Sequence, residues 1–144
     1  MNSTASPASA LDPPRPIGIA VVVHNHRVLI GIRGPDGPLP GLAEFPGGKC
    51  ESEEAPAACA LRECLEETGL PVQIVGELQD LIWQYPHSSV HLHFLHCQPV
   101  QPDDVRETHQ GFRWVDAAEL PSLDFPDANR QVLGRIQELL GADQ

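Results

Sequence analysis

Five runs of β-branched and other apolar residues predict β-strands along the chain. They cover residues 17–23, 27–33, 72–85, 90–97 and 112–115. Only His24-Asn25-His26 separates the first two runs, which therefore predict a β-hairpin. A turn at 86–88 is predicted to join the third run to the fourth.

Two segments have the apolar periodicity of helices. Between 55 and 68, Pro56 suits the first helical turn and Gly69 suits the left-handed position after the last one. Residues 127–140 place a set of apolar side chains on one face: Val132, Leu133, Ile136, Leu139 and Leu140. Residues 34–42, with three glycines and three prolines, predict a loop that is a candidate mobile lid. The order of elements predicts an α+β domain whose mixed sheet is covered by helices.

The composition adds a strongly acidic balance. The 144 residues carry a net charge of −11 at pH 7, which argues against a nucleic-acid-binding surface or an anionic membrane as partner. Four cysteines without a C-x-x-C pair predict free thiols in a reducing compartment. Residues 1–15 are rich in Ser, Ala and Pro and lack the pattern of a secretory signal. We expect a disordered tail over 1–15, one domain over 16–144, and a cytoplasmic location.

The first predicted helix concentrates carboxylates on one face. Glu63, Glu66 and Glu67 are neighbours there because positions three and four apart share a helix face. Such like charges repel unless a cation lies between them. Mg²⁺ suits this arrangement because it takes carboxylate oxygens and bridges to substrate phosphates. Arg62 can orient one carboxylate, and Gly47-Gly48 allows close backbone approach. The alternative is a solvated acidic helix face.

The spacing decides between these interpretations. Five residues separate Gly48 from Glu54, and seven more separate Glu54 from Arg62-Glu63-Cys64-x-Glu66-Glu67-x-Gly69-Leu70. This spacing matches the Nudix box, G-x5-E-x7-R-E-U-x-E-E-x-G-U. Cys64 is a small departure, because U denotes a bulky apolar residue. Residues 44–49, E-F-P-G-G-K, also match the segment that leads into the box. The chain therefore resembles the Nudix hydrolases, and within them the MutT-like nucleoside triphosphate pyrophosphohydrolases.

The resemblance implies a fold and a set of metal ligands. The fold would be the Nudix fold, an α/β/α sandwich with a central mixed β-sheet, over nearly the whole chain after the tail. Mg²⁺, with Mn²⁺ as an alternative, would be held by Gly48, Glu63, Glu66 and Glu67. Glu54 would support the metals and Arg62 would orient the cluster.

The resemblance also implies a set of residues for the substrate. Arg33 precedes Phe45 by twelve residues, where MutT-like enzymes have an arginine that contacts phosphates. Residues 124–129, D-F-P-D-A-N, resemble the D-F-P-P-A-N segment of bacterial MutT, whose asparagine reads the purine, and Asn129 holds that position. The implied substrate-binding residues are Arg33, Glu44, Phe45, Lys49, Tyr85 and Asn129.

The general base is less directly implied. MutT has a further glutamate before the last strand, and ungapped alignment from Trp114 places Thr108 there, with Glu107 adjacent. A shift of one residue in the loop would let Glu107 serve. Glu66 and a metal-bound hydroxide are the alternatives for activating water, and His109 in the same loop is another candidate.

Several of these residues have purely structural alternatives. Asn129 can cap a helix, and Tyr85 and Trp83, on one side of a strand, can pack in the core rather than stack on a base. A transition-metal site is an alternative use of the histidines around the second hairpin, His87, His91, His93 and His96. We favour a simpler interpretation in which His91 and His93 form the polar side of a half-buried strand. The cysteines are interpreted as structural.

We predict Mg²⁺-dependent hydrolysis of a nucleoside triphosphate to the monophosphate and pyrophosphate, with water attacking the β-phosphorus. An oxidised purine nucleotide such as 8-oxo-dGTP is the expected substrate, which would cleanse the nucleotide pool and so serve DNA repair. CTP or another pyrimidine nucleotide is the first alternative. Hydrolysis of ADP-ribose or a dinucleotide, and a non-catalytic nucleotide sensor, are further alternatives. The expected partner is the nucleotide alone, and the chain would be a monomer or a homodimer.

Overall fold

A computed structural model describes residues 13–142 of the chain. Its strands are Arg15–His24 (β1), Arg27–Ile32 (β2), Ala43–Glu44 (β3), Gly47–Lys49 (β4), Val72–Gln84 (β5), Ser89–Pro99 (β6), Thr108–His109 (β7) and Phe112–Asp116 (β8). Its α-helices are Pro56–Thr68 (α1), Asp127–Arg130 (α2) and Leu133–Ala142 (α3), and short 3-10 helices cover Pro102–Asp104 and Leu120–Ser122. All five predicted strands are confirmed. The sequence pattern missed β3, β4 and β7, which have two or three residues each and are too short to show a period.

The strands form a mixed sheet, as predicted. The order across it is β5-β6-β1-β2-β8-β7, with β3 paired to β2 and β4 paired to β1. β1 and β6 run parallel, and the other pairs are antiparallel. β1 therefore lies at the centre of the sheet, where it pairs with β2, with β6 and with β4, the short strand that carries Gly47 and Gly48.

The predicted hairpin is formed by β1 and β2, with Val23 opposite Val28 and His24 opposite Arg27. Asn25 and His26 form its two-residue loop with φ values of 51° and 62°. Positive φ at both loop residues is the mark of a type I′ turn, whose twist matches that of the strands. Asparagine tolerates this conformation well, so the local sequence fixes the register of the central strand.

Two cores lie on opposite faces of the sheet. On one face Val21, Val28 and Phe94 pack with Ile136 of α3. On the other, Ala20, Val22 and Leu95 pack with Cys64 of α1 and its neighbours. Strand β1 feeds both cores with alternate residues, which explains why its sequence is continuously apolar rather than alternating. This is the helix–sheet–helix layering that the resemblance implied.

One prediction about the C-terminal region is wrong. The single helix predicted over 127–140 is two helices, Asp127–Arg130 and Leu133–Ala142. Between them the amides of Gln131 and Val132 donate to Ala128 and Asn129, three residues back rather than four, so the turn is tightened. The apolar face is nevertheless confirmed, since Val132, Ile136 and Leu140 are fully buried and Leu133 and Leu139 partly so.

β1 begins at Arg15, so the last residue of the predicted tail belongs to the sheet, and residues 1–12 lie outside the described part of the chain. All four cysteines are free and buried, as predicted. Within residues 13–142, none of the helices has the length and apolarity that a membrane crossing requires.

Candidate functional site

Helix α1 is fixed tightly on the central strand. A Cβ atom on Gly18 of β1 would lie 2.7 Å from the Pro56 carbonyl oxygen and 2.8 Å from the Ala60 nitrogen, so only glycine allows this approach. The helix ends at Gly69, whose φ is 74° and whose amide donates to the Leu65 carbonyl at 2.9 Å. Glu63 and Glu67 follow Ala60 by three and seven residues, so they continue along the same side of the helix and lie beside Gly48 and Gly47 of β4.

Arg62 organises the acidic cluster. Its Nε and Nη2 donate to the two carboxylate oxygens of Glu54 at 2.8 and 2.9 Å, a forked pair. Its Nη1 also reaches Glu63 at 3.2 Å and Glu66 at 3.3 Å. The Arg62 contact, followed by the Glu51 amide, holds the pKa of Glu54 down at about 2. The guanidinium of Arg62 thus gathers three carboxylates of the box around itself, with Glu54 as its main partner.

Glu67 stands apart from this network. One of its oxygens accepts the Gly47 amide at 3.1 Å. Burial, with the negative charges of Glu63, Glu44 and Glu66, raises the pKa of Glu67 to about 7 against the opposing effect of the Gly47 bond. The side chain therefore lies where negative charge exceeds positive charge.

Gly48 has no room for a side chain because Glu63 fills that space. A Cβ atom at Gly48 would overlap the Glu63 carboxyl group, lying 2.6 and 2.7 Å from its oxygens. The carbonyl of Gly48 accepts a hydrogen bond from the Cys59 thiol at 3.3 Å. The glycine therefore brings the β4 backbone against the acidic face of α1.

The donor set fits a hard divalent cation. Glu63, Glu66 and Glu67 do not form a compact triad, however. Among residues 13–142 the sets of three ligating side chains whose atoms lie within 4.8 Å of one another are Cys50-Glu54-Cys59 and Asp80-His91-His93. Arg62 draws Glu63 and Glu66 to itself while Glu67 turns to Gly47. Carboxylate and backbone oxygens are nevertheless the ligands that Mg²⁺ prefers, and the raised pKa of Glu67 marks negative charge that such an ion would neutralise.

A cleft of about 250 Å³ opens beside Gly47 and Gly48. Apolar residues of β1 and β6 contribute to its wall, including Ile17, Ile19 and Leu92. All six residues that the resemblance implied for substrate binding line it: Arg33, Glu44, Phe45, Lys49, Tyr85 and Asn129. They come from loops and strands up to 96 residues apart in sequence (129 − 33). The fold therefore gathers the predicted substrate residues at one place next to the acidic cluster.

Comparison with known proteins agrees with this arrangement. Residues 18–135 match the model of the NUDIX domain. The chain belongs to the NUDIX domain family. The prediction of a MutT-like Nudix hydrolase is thereby confirmed.

Individual relatives support the assignment. The chain is 29% identical over 115 residues to an Escherichia coli 8-oxo-dGTP diphosphatase, covering 80% of this chain and 89% of that protein. It is 25% identical over 107 residues to an Escherichia coli CTP pyrophosphohydrolase, covering 74% and 78% respectively. The crystal structure of the MutT protein from Methanosarcina mazei superposes with a TM-score of 0.71 at 18% identity, covering 88% of this chain and 95% of that one. The last similarity confirms the predicted Nudix fold.

Asn129 of this Nudix protein is not a helix cap. The residue that precedes α2 is Pro126. Asn129 lies inside the helix, and its backbone N–H donates to the Pro126 carbonyl at 2.9 Å. Within residues 13–142 the Asn129 side chain makes no hydrogen bond, although it is half-buried at the cleft. The structural alternative for this residue is therefore excluded, and its donor and acceptor are free for a ligand.

The other cleft residues divide into wall and rim. Phe45 is 6% exposed, stacks on Phe125 at 5.2 Å between ring centroids, and so belongs mainly to the wall. Tyr85 is 43% exposed and lies on the rim. Trp83 instead packs against the core, so the two aromatic residues take different roles. Arg33 contacts Glu44 at 3.5 Å, which holds its guanidinium at the cleft.

Glu107 lies elsewhere. It lines a separate cavity with His24, Arg27 and Trp114, and it is not among the residues that line the cleft. His109 is 7% exposed and its Nε2 accepts the Arg106 amide at 3.0 Å, so it holds this loop together. Burial, followed by the charge of Arg106, lowers the pKa of His109. The structure does not bring either candidate base to the acidic cluster.

Sequence reasoning missed part of the cleft. Ile17, Ile19 and Leu92 were assigned to strands without a role in the site, and Leu39 of the 34–42 loop also lines the cleft. The alternation of strand residues contained the signal, because these side chains face the same side of the sheet as α2 and α3. Knowing which of the two faces carries the cleft required the sheet order.

Proposed function

We propose that this Nudix hydrolase converts a nucleoside triphosphate to its monophosphate and pyrophosphate with Mg²⁺ or Mn²⁺, and that oxidised purine nucleotides such as 8-oxo-dGTP are preferred. The observation that carries the proposal is the assembly of one apolar cleft, with a free amide at Asn129, directly against the acidic face of α1. Such an enzyme would remove damaged nucleotides from the cytoplasmic pool as a monomer or homodimer, and thereby contribute to DNA repair.

The cleft supports recognition of a base. Its apolar wall suits a planar heterocycle, and the exposed ring of Tyr85 is placed to stack on one. The amide of Asn129 offers one donor side and one acceptor side, which can pair with the edge of a purine. Burying this amide without a partner would be costly, so a base that lacks matching groups is disfavoured.

The cationic residues of the cleft suit the phosphates. Lys49 and Arg33 are the Lys and Arg residues that line the cleft. Lys49 follows the Gly47-Gly48 backbone, and Arg33 lies beside the Glu44 side chain. The proposed metal ligands are Glu63, Glu66 and Glu67 with the carbonyl of Gly48, and Mg²⁺ bound there would neutralise phosphate oxygens and acidify water. Arg62 and Glu54 would keep the glutamates oriented.

The proposed reaction is a substitution at phosphorus. The oxygen of water bonds to the β-phosphorus, the bond from that phosphorus to the α–β bridging oxygen breaks, and the monophosphate leaves with that oxygen. The proton of the water passes to a base, for which Glu66 is favoured over Glu107 because Glu66 belongs to the acidic cluster. Hydrolysis in ¹⁸O-labelled water should place the label in pyrophosphate, and label in the monophosphate would contradict attack at this position.

The test of specificity is a panel of normal and oxidised dNTPs and NTPs, assayed for kcat/KM with Mg²⁺. We expect Asn129→Ala to reduce the preference for 8-oxo-dGTP over dGTP by about tenfold or more, since one or two hydrogen bonds to the base are lost. Gln131→Ala, an exposed amide near the end of the same helix, is the matched control and should not change the preference. An unchanged preference in Asn129→Ala would exclude base reading by this residue.

CTP is the second candidate substrate. The similarity to a CTP pyrophosphohydrolase favours it, and the Asn129 amide can also pair with a pyrimidine edge. The same panel separates the two, because a preference for CTP over 8-oxo-dGTP would assign the cleft to pyrimidines.

A further inference from the structure

A cluster of metal-ligating side chains lies away from the Nudix box, on strands β5 and β6. The register pairs Asp80 of β5 with His93 of β6, and His91 lies two residues earlier on β6 and so faces the same side. The Nε2 of His91 lies 2.6 Å from the Asp80 carboxylate. The rings of His91 and His93 have centroids 4.0 Å apart.

We propose that Asp80, His91 and His93 form a binding site for a divalent transition-metal ion of the Zn²⁺ type, distinct from the Mg²⁺ site of the box. One ligating atom from each of the three residues lies within 4.8 Å of the other two. Tetrahedral Zn²⁺ with ligands at about 2.0–2.1 Å requires ligand atoms roughly 3.3 Å apart. Asp80 is exposed and the two histidines are half-buried, so rotation about their side-chain bonds would bring the three atoms to this spacing.

The chemistry of the donors selects the metal. Two imidazole nitrogens and one carboxylate oxygen suit Zn²⁺, Co²⁺ or Ni²⁺, whereas Mg²⁺ prefers oxygen alone. The two sites therefore have different preferences even when both ions are present.

A fourth ligand is available nearby. Glu77, Asp80 and His93 line one cavity beside the start of α1. The pairing of β5 with β6 is irregular between Glu77 and Gln79, and a bulge of this kind redirects the side chains that flank it. Glu77 or a water molecule would complete a four-coordinate site.

The location indicates what a bound metal would stabilise. β5 is an edge strand, paired only with β6 along the main path of the sheet. A metal held by one residue of β5 and two of β6 would link these strands, and β5 leads directly to Tyr85 at the rim of the cleft. The structural alternative is an ordinary pair between Asp80 and His91 on a polar strand face, with no metal involved.

The test is a titration of the purified full-length protein with Zn²⁺ in excess Mg²⁺, which occupies the hard oxygen ligands of the box. Binding is measured by calorimetry, and the imidazole ¹⁵N signals are followed by NMR. We expect the signals of His91 and His93 to shift with one equivalent of Zn²⁺. His91→Gln and His93→Gln should each weaken binding by at least about tenfold, since each removes a direct ligand.

Two controls make the result specific. His87→Gln changes an exposed histidine in the turn between the two strands and should leave binding unchanged. Co²⁺ distinguishes the cluster formed by Cys50, Glu54 and Cys59, because cobalt bound there would show a thiolate charge-transfer band. The proposal would be overturned if the signals of His91 and His93 did not shift, or if His91→Gln and His93→Gln bound Zn²⁺ with wild-type affinity. A thiolate band at the first equivalent of Co²⁺ would also overturn it.

Discussion

Replacing Glu67 by glutamine is expected to stabilise the metal-free protein at alkaline pH while removing most of its activity. Glu67 is half-buried beside three other carboxylates, and its pKa is raised from the ordinary 4.5 to about 7. At about 1.36 kcal/mol per pKa unit, that difference of about 2.5 corresponds to about 3.4 kcal/mol. The side chain is only partly buried, so solvent screening reduces the expected gain to about 1–2 kcal/mol.

The pH dependence of this stability difference follows from the direction in which the pKa of Glu67 is shifted. Because the pKa of Glu67 is higher in the folded than in the unfolded chain, its contribution to stability is fully present below pH 4.5 and is lost as the pH rises through about 7. Glutamine carries no charge at any pH and can still accept the Gly47 amide. The variant should therefore match the wild type near pH 4 and exceed it at pH 8.

The assay is urea unfolding of both proteins in EDTA at the two pH values, with thermal unfolding as a second measure. For a domain of this size the gain corresponds to a rise in melting temperature of about 2–8 °C at pH 8. Adding Mg²⁺ should stabilise the wild type more than the variant and narrow or reverse the gap. A variant that is less stable than the wild type at pH 8 in EDTA, or a gap independent of pH, would refute the reasoning. Turnover should fall by orders of magnitude.

Four further substitutions test the packing and orientation of the site and of the helices around it. Gly48→Ala should lower kcat about 100-fold in the substrate panel, because the added methyl group overlaps the Glu63 carboxyl group and displaces it; wild-type turnover would contradict this. Gly18→Ala should reduce the free energy of unfolding by about 1–3 kcal/mol through overlap with the α1 backbone. Gly134→Ala in α3, where no atom lies within 4 Å of the new Cβ, should instead raise it by about 0.5–1 kcal/mol. Arg62→Lys should lower activity about 10–100-fold, since lysine cannot reproduce the forked carboxylate pair, and full activity would show that orientation by this residue is dispensable.

The acidic helix could be predicted from sequence because its information is local. Helical spacing alone places Glu63, Glu66 and Glu67 on one face, and Pro56 and Gly69 mark the two ends that the structure confirms. The type I′ turn at Asn25-His26 and the alternation along β6 are equally local. In each case a period of two or 3.6 residues, or one residue suited to positive φ, determines the result.

The remaining features depend on contacts between distant segments. The cleft exists because β1 lies between β6 and β2, and no local pattern specifies that order. Arg62 was expected to orient one carboxylate, and its forked pair goes to Glu54, which precedes the helix and is brought to Arg62 by folding. The tightened turn at Gln131 contains neither proline nor glycine, so the sequence gives no signal of the break between α2 and α3.

The distribution of charge indicates how so acidic a protein could act on the polyanion proposed as its substrate. Only nine lysine and arginine residues are present against twenty acidic ones, and Arg62 is already engaged with three carboxylates. Arg33 is held by Glu44, which leaves Lys49 as the cleft cation without an ion pair among residues 13–142. A single lysine cannot offset the three or four phosphate charges of the proposed nucleoside triphosphate, so under the proposed function substrate affinity would depend on cations recruited by the carboxylates. Under the proposed function, the clustering of glutamates that destabilises the metal-free protein is the same feature that would make nucleotide binding depend on the metal.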